Sequence, residues 1–216
     1  MSELTRKQRE RRRHRREVLE AAEKLFSRQG YHETTVQDIA REAEFGVGTL
    51  YNMFDNKAAI YYELVRLRAE QYMESTRQEL RGMQGPVSKL RRLLRAKFEF
   101  FDSHRQFFTI FSRVLQENPG EGGLDLTDEG RKLYEEYTDL LTEIFRSGVE
   151  SDDFVDVEPR LLTLSFEGTT RTVISDHLLR SGSSSFMSVI DDVERILLGG
   201  LLKDPERING VRHGNE

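Results

Sequence analysis

Residues 34–57, TTVQDIAREAEFGVGTLYNMFDNK, constrain this chain more than any other part of it. Thr35-Val-Gln-Asp38 has the spacing of a capping box, in which an N-cap hydroxyl accepts from the N–H three residues on and the acid reaches back. A helix is predicted over 36–43, with Val36, Ile39, Ala40 and Ala43 along one apolar face. Phe45 and Gly46 interrupt it, and a second helix is predicted over 47–53. Leu50 and Phe54, four apart, turn inward and leave Gly48, Thr49, Tyr51 and Asn52 on the outer face. That face offers a small residue, a hydroxyl, a phenol and an amide, which suit the base edges and phosphates of a duplex. A helical hairpin whose polar face is merely wet is the other reading, since helix–turn–helix geometry also serves structure.

The rest of the chain reads as helices. One over 16–29 places Val18, Leu19, Ala22, Leu25 and Phe26 at helical spacing and ends at Gly30. Asn56 caps a long helix over 57–81, and Gly82 and Gly85-Pro86 break the chain. Further helices are predicted over 86–103, 106–117, 127–149, 159–179 and 186–202, with Thr127 as an N-cap and Pro159 at a first helical position. NPGEGGLDL (118–126) and SGSSS (181–185) read as loop and linker, and residues 205–216 as a frayed tail. With four prolines and no alternating strand pattern, the expected class is all-α, with about nine helices.

Composition narrows the function. With no Cys, disulfides, thiolate chemistry and Cys-type zinc sites are excluded. No apolar run is long enough to span a bilayer and the basic N-terminus lacks a signal-peptide core, so a cytoplasmic protein is expected. The five His have no metal-ligand spacing, no glycine loop cradles phosphate, and no catalytic constellation is present. No cofactor, metal or enzymatic activity is expected. The net charge of −5 hides an asymmetry: residues 1–16 carry eight Lys/Arg against two Glu, residues 17–57 are at −4, and residues 58–216 at −7. A basic block beside the two short helices reads as an arm for phosphates or the minor groove, rather than as a solvated tail or a membrane anchor.

Residues 18–64 resemble the DNA-binding domain of the TetR family of bacterial repressors. The resemblance rests on Ala21-Ala22, Leu25-Phe26, Gly30-Tyr31, Thr34-Thr35-Val36, Ile39-Ala40, Ala43, Gly48-Thr49-Leu50-Tyr51, Phe54 and Lys57. It departs at Glu44, where the family usually has Gly, at Gly46 for Ser, at Val47 for Lys, and at Ala58-Ala59. Glu44 is the costly departure, because a turn position with positive φ suits Gly. The resemblance implies a basic arm (1–16), a three-helix DNA-binding domain (17–56), a larger helical ligand-binding and dimerisation domain (57–204) and a flexible tail (205–216).

A dimeric regulator, most simply a repressor, is therefore expected to bind a palindromic DNA operator and to be released by a small apolar or amphipathic effector. Phosphate contacts are expected from Arg11, Arg12, Arg13, Arg15 and Arg16 of the arm and from Thr35, Tyr51 and Lys57. Sequence choice is expected from Val47, Gly48, Thr49 and Asn52. A ligand pocket is expected among Phe98, Phe101, His104, Phe108, Phe111, Tyr134, Tyr137, Phe166 and His177. A homodimer interface is expected from Gly168, Thr172, Ser175, Ile190, Val193, Leu197 and Leu201, the last two helices pairing with their copies. The alternative is a helical protein-interaction module whose helix–turn–helix is structural.

Overall fold

The computed structural model describes residues 5–117, 128–180 and 185–202. Among them are nine α-helices: α1 (Arg6–Gln29), α2 (Val36–Glu42), α3 (Val47–Tyr51), α4 (Lys57–Leu80), α5 (Pro86–Ser103), α6 (Arg105–Glu117), α7 (Asp128–Glu150), α8 (Pro159–Arg180) and α9 (Ile190–Leu201). The described residues contain no strand beyond one antiparallel bridge between Phe154 and Leu202. The fold is all-α. The expected Thr127 cap, the 118–126 loop, most of the 181–185 linker and the 205–216 tail lie outside the described residues.

Two compact units form, Met1–Ala69 with Gln106–Thr127, and Glu70–Arg105 with Asp128–Glu216. The expected boundary at residue 57 therefore differs from the structural division, which falls within α4 and returns α6 to the first unit. The first unit's core is built from Val18, Ala22, Leu25 and Phe26 of α1, Ile39 of α2, Leu50 of α3, and Ile60, Tyr61 and Leu64 of α4. Phe107, Ile110 and Val114 of α6 are also buried. In the second unit α7 packs on α8 and α5, and α9 on α5 and α8. Leu94, Phe98, Leu141, Phe145, Phe166 and Leu198 are fully enclosed there. At Gly148 an added Cβ would lie 2.0 Å from the Phe154 ring, so that glycine admits the ring against α7.

Three local differences from the sequence reading have physical causes. The expected basic arm over 1–16 is not a separate arm in the described residues: from Arg6 on it is the start of α1. Thr5 accepts from the Gln8 N–H at 3.3 Å, and the Gln8 side chain accepts from the Thr5 N–H at 2.8 Å, a capping box that begins the helix early. The second short helix ends at Tyr51, although N–H groups of Met53 and Phe54 still donate to Leu50 O at 2.9 and 2.8 Å. The final helix begins only at Ile190, after a 3-10 turn over Phe186–Ser188 capped by Ser185.

The turn between α2 and α3 carries its own strain. Phe45 N–H donates to Ala40 O at 2.9 Å and Glu44 N–H to Arg41 O at 3.2 Å, which closes α2 with a left-handed residue. That residue is Glu44, at φ +58°, where glycine is the usual occupant. Glu44→Gly should raise the stability of the protein by about 1 kcal/mol, whereas Glu44→Val should lower it. Urea unfolding midpoints compare the two, and equal midpoints would show that the turn is unstrained.

Candidate functional site

The five-residue α3 is held from outside. Leu50 is its one fully buried anchor, and Gly46 caps it without a side chain. The remaining face points to solvent: Gly48, Thr49 and Asn52 are exposed and Tyr51 is 50 % exposed. An added Cβ at Gly48 would meet nothing within 4 Å, so the opening there is to solvent and not to a neighbouring side chain. Val47 is half-buried at the start of the helix. Thr35 and Asp38 form the expected box, Asp38 N–H donating to Thr35 Oγ1 at 3.1 Å. The same Thr35 hydroxyl donates to Asp38 at 2.6 Å. Bonds from the Thr35 side chain and backbone hold the Asp38 carboxyl below its usual range.

The basic residues divide into two kinds. Arg11, Arg12, Arg13 and Arg16 are exposed on α1, and among the described residues only Arg13 of these has a nearby partner, Glu17 at 3.5 Å. Arg15 is different, and its assignment as a phosphate contact is corrected. It pairs with Glu63, donates to the Met53 carbonyl and lies over the Phe54 ring, 4.2 Å from its centre. Arg15 thus satisfies a carbonyl left over at the end of α3 and ties it to α1 and α4. Lys57 is also engaged: Nζ donates to Tyr31 O at 2.7 Å and to His32 O at 3.1 Å, and sits 4.4 Å from the Tyr31 ring centre. Burial lowers its pKa, with the Glu33 charge acting the other way. Asn56 Oδ1 accepts from the Ala59 N–H at 2.8 Å, as the cap spacing predicts.

The nine expected ligand-pocket residues are divided between the two units. Phe108 and Phe111 belong to the first unit, where they pack with Phe107. His104 Nδ1 lies 2.9 Å from Phe100 O and its ring packs against Phe100, which makes it a helix-end brace. His177 packs on Phe186, as Phe98 does. Phe166 packs against Phe145, and Phe101 and Tyr137 flank Tyr72. Tyr134 is half-buried on α7.

The second unit holds a polar centre that the sequence reading missed. Lys97 Nζ lies 2.6 Å from Glu167 Oε1 and donates to Thr170 Oγ1 at 2.8 Å. Tyr137 OH donates to the same Glu167 oxygen at 2.8 Å, and Tyr72 OH donates to Tyr137 OH at 3.2 Å. Burial and the Glu167 charge push both phenols above their ordinary range. Four helices, α4, α5, α7 and α8, meet in this one chain of bonds. The signal was present: Lys97 falls four after Leu93 and seven after Leu90, on the apolar stripe of α5.

The expected dimer residues also divide. Ile190, Val193, Leu197 and Leu201 are 2, 6, 8 and 6 % exposed, so they are spent on the chain's own core and are corrected as partner contacts. Gly168 and Ser175 are half-buried and Thr172 exposed. On the same outer face of α8 stand Leu161 and Leu164, 54 and 48 % exposed, and on α9 Ile196, 68 % exposed. Among the described residues no helix is long and apolar enough to cross a membrane, and no group of three His, Cys, Asp or Glu could hold a metal.

Comparison with known proteins is consistent with this geometry. The model of the bacterial regulatory proteins of the tetR family matches residues 18–64, and that of the tetracyclin repressor-like C-terminal domain matches residues 83–175. The chain is 20 % identical to the fatty acid metabolism regulator protein of Bacillus subtilis (strain 168), over 86 % of this chain and 94 % of that one. It is 26 % identical to the transcriptional repressor KstR2 of Mycobacterium tuberculosis (strain H37Rv), over 87 % of this chain and 92 % of that one. Its fold matches the crystal structure of FadR from Bacillus subtilis in complex with stearoyl-CoA, with a TM-score of 0.72 at 20 % identity, covering 86 % of this chain and 98 % of that one.

Lys97 and Glu167 sit where water is nearly excluded, so removing one partner should cost far more than removing both. Lys97→Met should lose about 3–5 kcal/mol of stability, and Lys97→Met with Glu167→Leu much less. Chemical denaturation of the three proteins measures this, and a single-variant loss below about 1 kcal/mol would contradict a desolvated pair.

Proposed function

The chain belongs to the TetR family of bacterial transcriptional regulators, and from that premise we propose that it is a repressor. In this reading it binds a two-fold symmetric operator as a homodimer and is released by an amphipathic acyl molecule. The observation that carries the reading is the outer face of α3: a glycine with nothing before it, a hydroxyl, a phenol and an amide, all turned to solvent on a helix anchored from behind.

In the complex, α3 lies in the major groove. Thr49 and Asn52 reach base edges, Val47 contacts a thymine methyl, and Gly48 lets the helix backbone approach closely. Tyr51 and the Thr35 end of α2 meet phosphates. Lys57 holds the 31–32 carbonyls and keeps one donor for a phosphate. Arg12, Arg13 and Arg16 follow the backbone from one side of a helix, with Arg11 on the adjoining side, rather than as an extended arm. The first turn of α1 has no acid and two basic residues, Arg6 and Lys7, at the positive end of its dipole, and a polyanion relieves that arrangement.

Two copies pair through the outer face of α8 and α9, with Leu161, Leu164 and Ile196 as apolar contacts and Gly168, Thr172 and Ser175 allowing close approach. This pairing sets two α3 helices about 34–36 Å apart, one turn of DNA. The effector binds among α4, α5, α7 and α8 of the second unit. Phe98, Phe101, Tyr134, Tyr137 and Phe166 supply apolar walls, and Lys97 with Glu167 the polar centre. The similarity to a fatty acid metabolism regulator, and the fold shared with a protein solved with stearoyl-CoA, favour an acyl thioester. An effector that binds better to a dimer with wrongly spaced reading helices lowers operator affinity by linkage.

Gel shifts against the DNA flanking the chain's own gene test the proposal, and stearoyl-CoA should release the complex. Arg12→Ala should weaken binding to every sequence and reduce the slope of log K against log salt by about 1. Arg15→Ala should instead lower stability. Gly48→Ala should fold at least as well as the parent and lose affinity for the operator. Leu164→Asp with Ile196→Asp should sediment as a monomer and lose the operator. A protein that shifts no flanking DNA, or a double variant that stays dimeric, would overturn the corresponding part of the reading.

A further inference from the structure

The first turn of α3 is capped by backbone alone. Gly46, its N-cap, offers only a carbonyl, which accepts from the Thr49 and Leu50 N–H groups at 2.9 and 3.2 Å. The residue before it, Phe45, is half-buried and follows the left-handed Glu44. Phe45 N–H donates to Ala40 O at 2.9 Å. Its ring meets the ring of His14 on α1 edge on, with centres 5.1 Å apart and planes at 61°. His14 is half-buried, and it breaks an otherwise all-arginine run, RRRHRR over residues 11–16. It stands four before the fully buried Val18, and Arg15 stands four before Leu19, so two adjacent residues extend the buried face of α1 by one turn. Arg15 takes the Met53 carbonyl and the Phe54 ring beyond the end of α3. His14 takes Phe45 before its start.

We propose that His14 is a positioning residue for DNA recognition, acting through its ring on Phe45 and not through its charge on a phosphate. A left-handed Glu44 costs free energy and persists only where its surroundings hold it. The ring pair supplies part of that hold from α1. Without it the turn relaxes about Glu44, and Gly46, Val47 and the outer face of α3 move with the turn, while Leu50 still anchors the helix from below. The role in recognition rests on the reading of α3 as the helix that enters the major groove. The ring contact itself is tested without DNA.

Hydrogen exchange of the DNA-free, full-length protein, read at the Thr49, Leu50 and Asn52 amides, tests the contact. His14→Ala should speed these amides about fivefold, the worth of one edge-on ring pair. His14→Phe keeps a ring without a charge and should restore the parent rates. His14→Lys keeps a charge without the ring and should not. Parent rates in His14→Ala, or rescue by Lys and not by Phe, would overturn the proposal. On operator DNA, His14→Ala should narrow the ratio of operator to non-specific affinity about fivefold and leave the slope of log K against log salt unchanged. A phosphate contact would instead lower that slope by about 1 and weaken both DNAs alike, a result that equally overturns it. If the parent shifts no DNA, the reading of α3 falls, and the exchange rates alone decide for His14 or against it.

Discussion

A helix of five residues cannot hold its own shape in water. Closing the first turn fixes several dihedrals for one hydrogen bond, and isolated helices much shorter than about 12 residues are marginal. Everything near α3 answers that constraint. Leu50 anchors it in the core. The left-handed Glu44 closes α2 and aims the chain into Gly46. At the other end Arg15 takes up the Met53 carbonyl and is itself held by Glu63. With α3 gripped at both ends and from below, its outer face needs no packing role, and small and polar residues can occupy it.

The same constraint explains why one arginine in a basic run differs from its neighbours. Arg15 falls on the side of α1 that carries Val18, Leu19 and Ala22, so it turns inward, while Arg12, Arg13 and Arg16 fall on the other side. Arg11 shares the side of Arg15 but stands one turn earlier and is exposed, so phase and distance from the core together separate the structural arginine from the rest. A repulsive cluster at the positive end of a helix is poor for the isolated protein. Its persistence as helix rests on the Thr5–Gln8 box and on ion pairs such as Arg6–Glu10 at 3.1 Å.

Local signals were legible in the sequence and tertiary ones only in part. Thr35 with Asp38, Gly30, Asn56 and Pro159 each carry a stereochemical reason that needs no knowledge of the rest of the chain, and each stands where the spacing predicts. Thr5-x-x-Gln8 belongs to the same class and was masked by the charge that follows it. The α9 stripe Ile190, Val193, Leu197 and Leu201 was correctly apolar, but periodicity says which side of a helix is buried and not what buries it. The chain's own α5 and α8 cover it, and the outward side is polar apart from Ile196, which stands among Asp192 and Arg195. The aromatic list divides between the units for a related reason. Ring density is shared between core and pocket, and it does not tell Phe108 and Phe111 of one unit from Phe98 and Phe166 of the other.

The polar centre of the second unit bears on why a helical body with so many aromatic residues keeps charge inside. A buried ion pair is weak grounds for stability, because desolvation offsets much of the attraction and apolar residues of similar size often do as well. Lys97 and Glu167 nevertheless draw in hydroxyls from Tyr72, Tyr137 and Thr170, so four helices are fixed by bonds with direction rather than by shape alone. An apolar core of the same volume could slide among near-equal packings. A chain of donors and acceptors has one arrangement in which every member is satisfied, and any other leaves a buried charge unpaired at high cost. Such a centre therefore fixes how α4, α5, α7 and α8 pack on one another, in register as well as in volume.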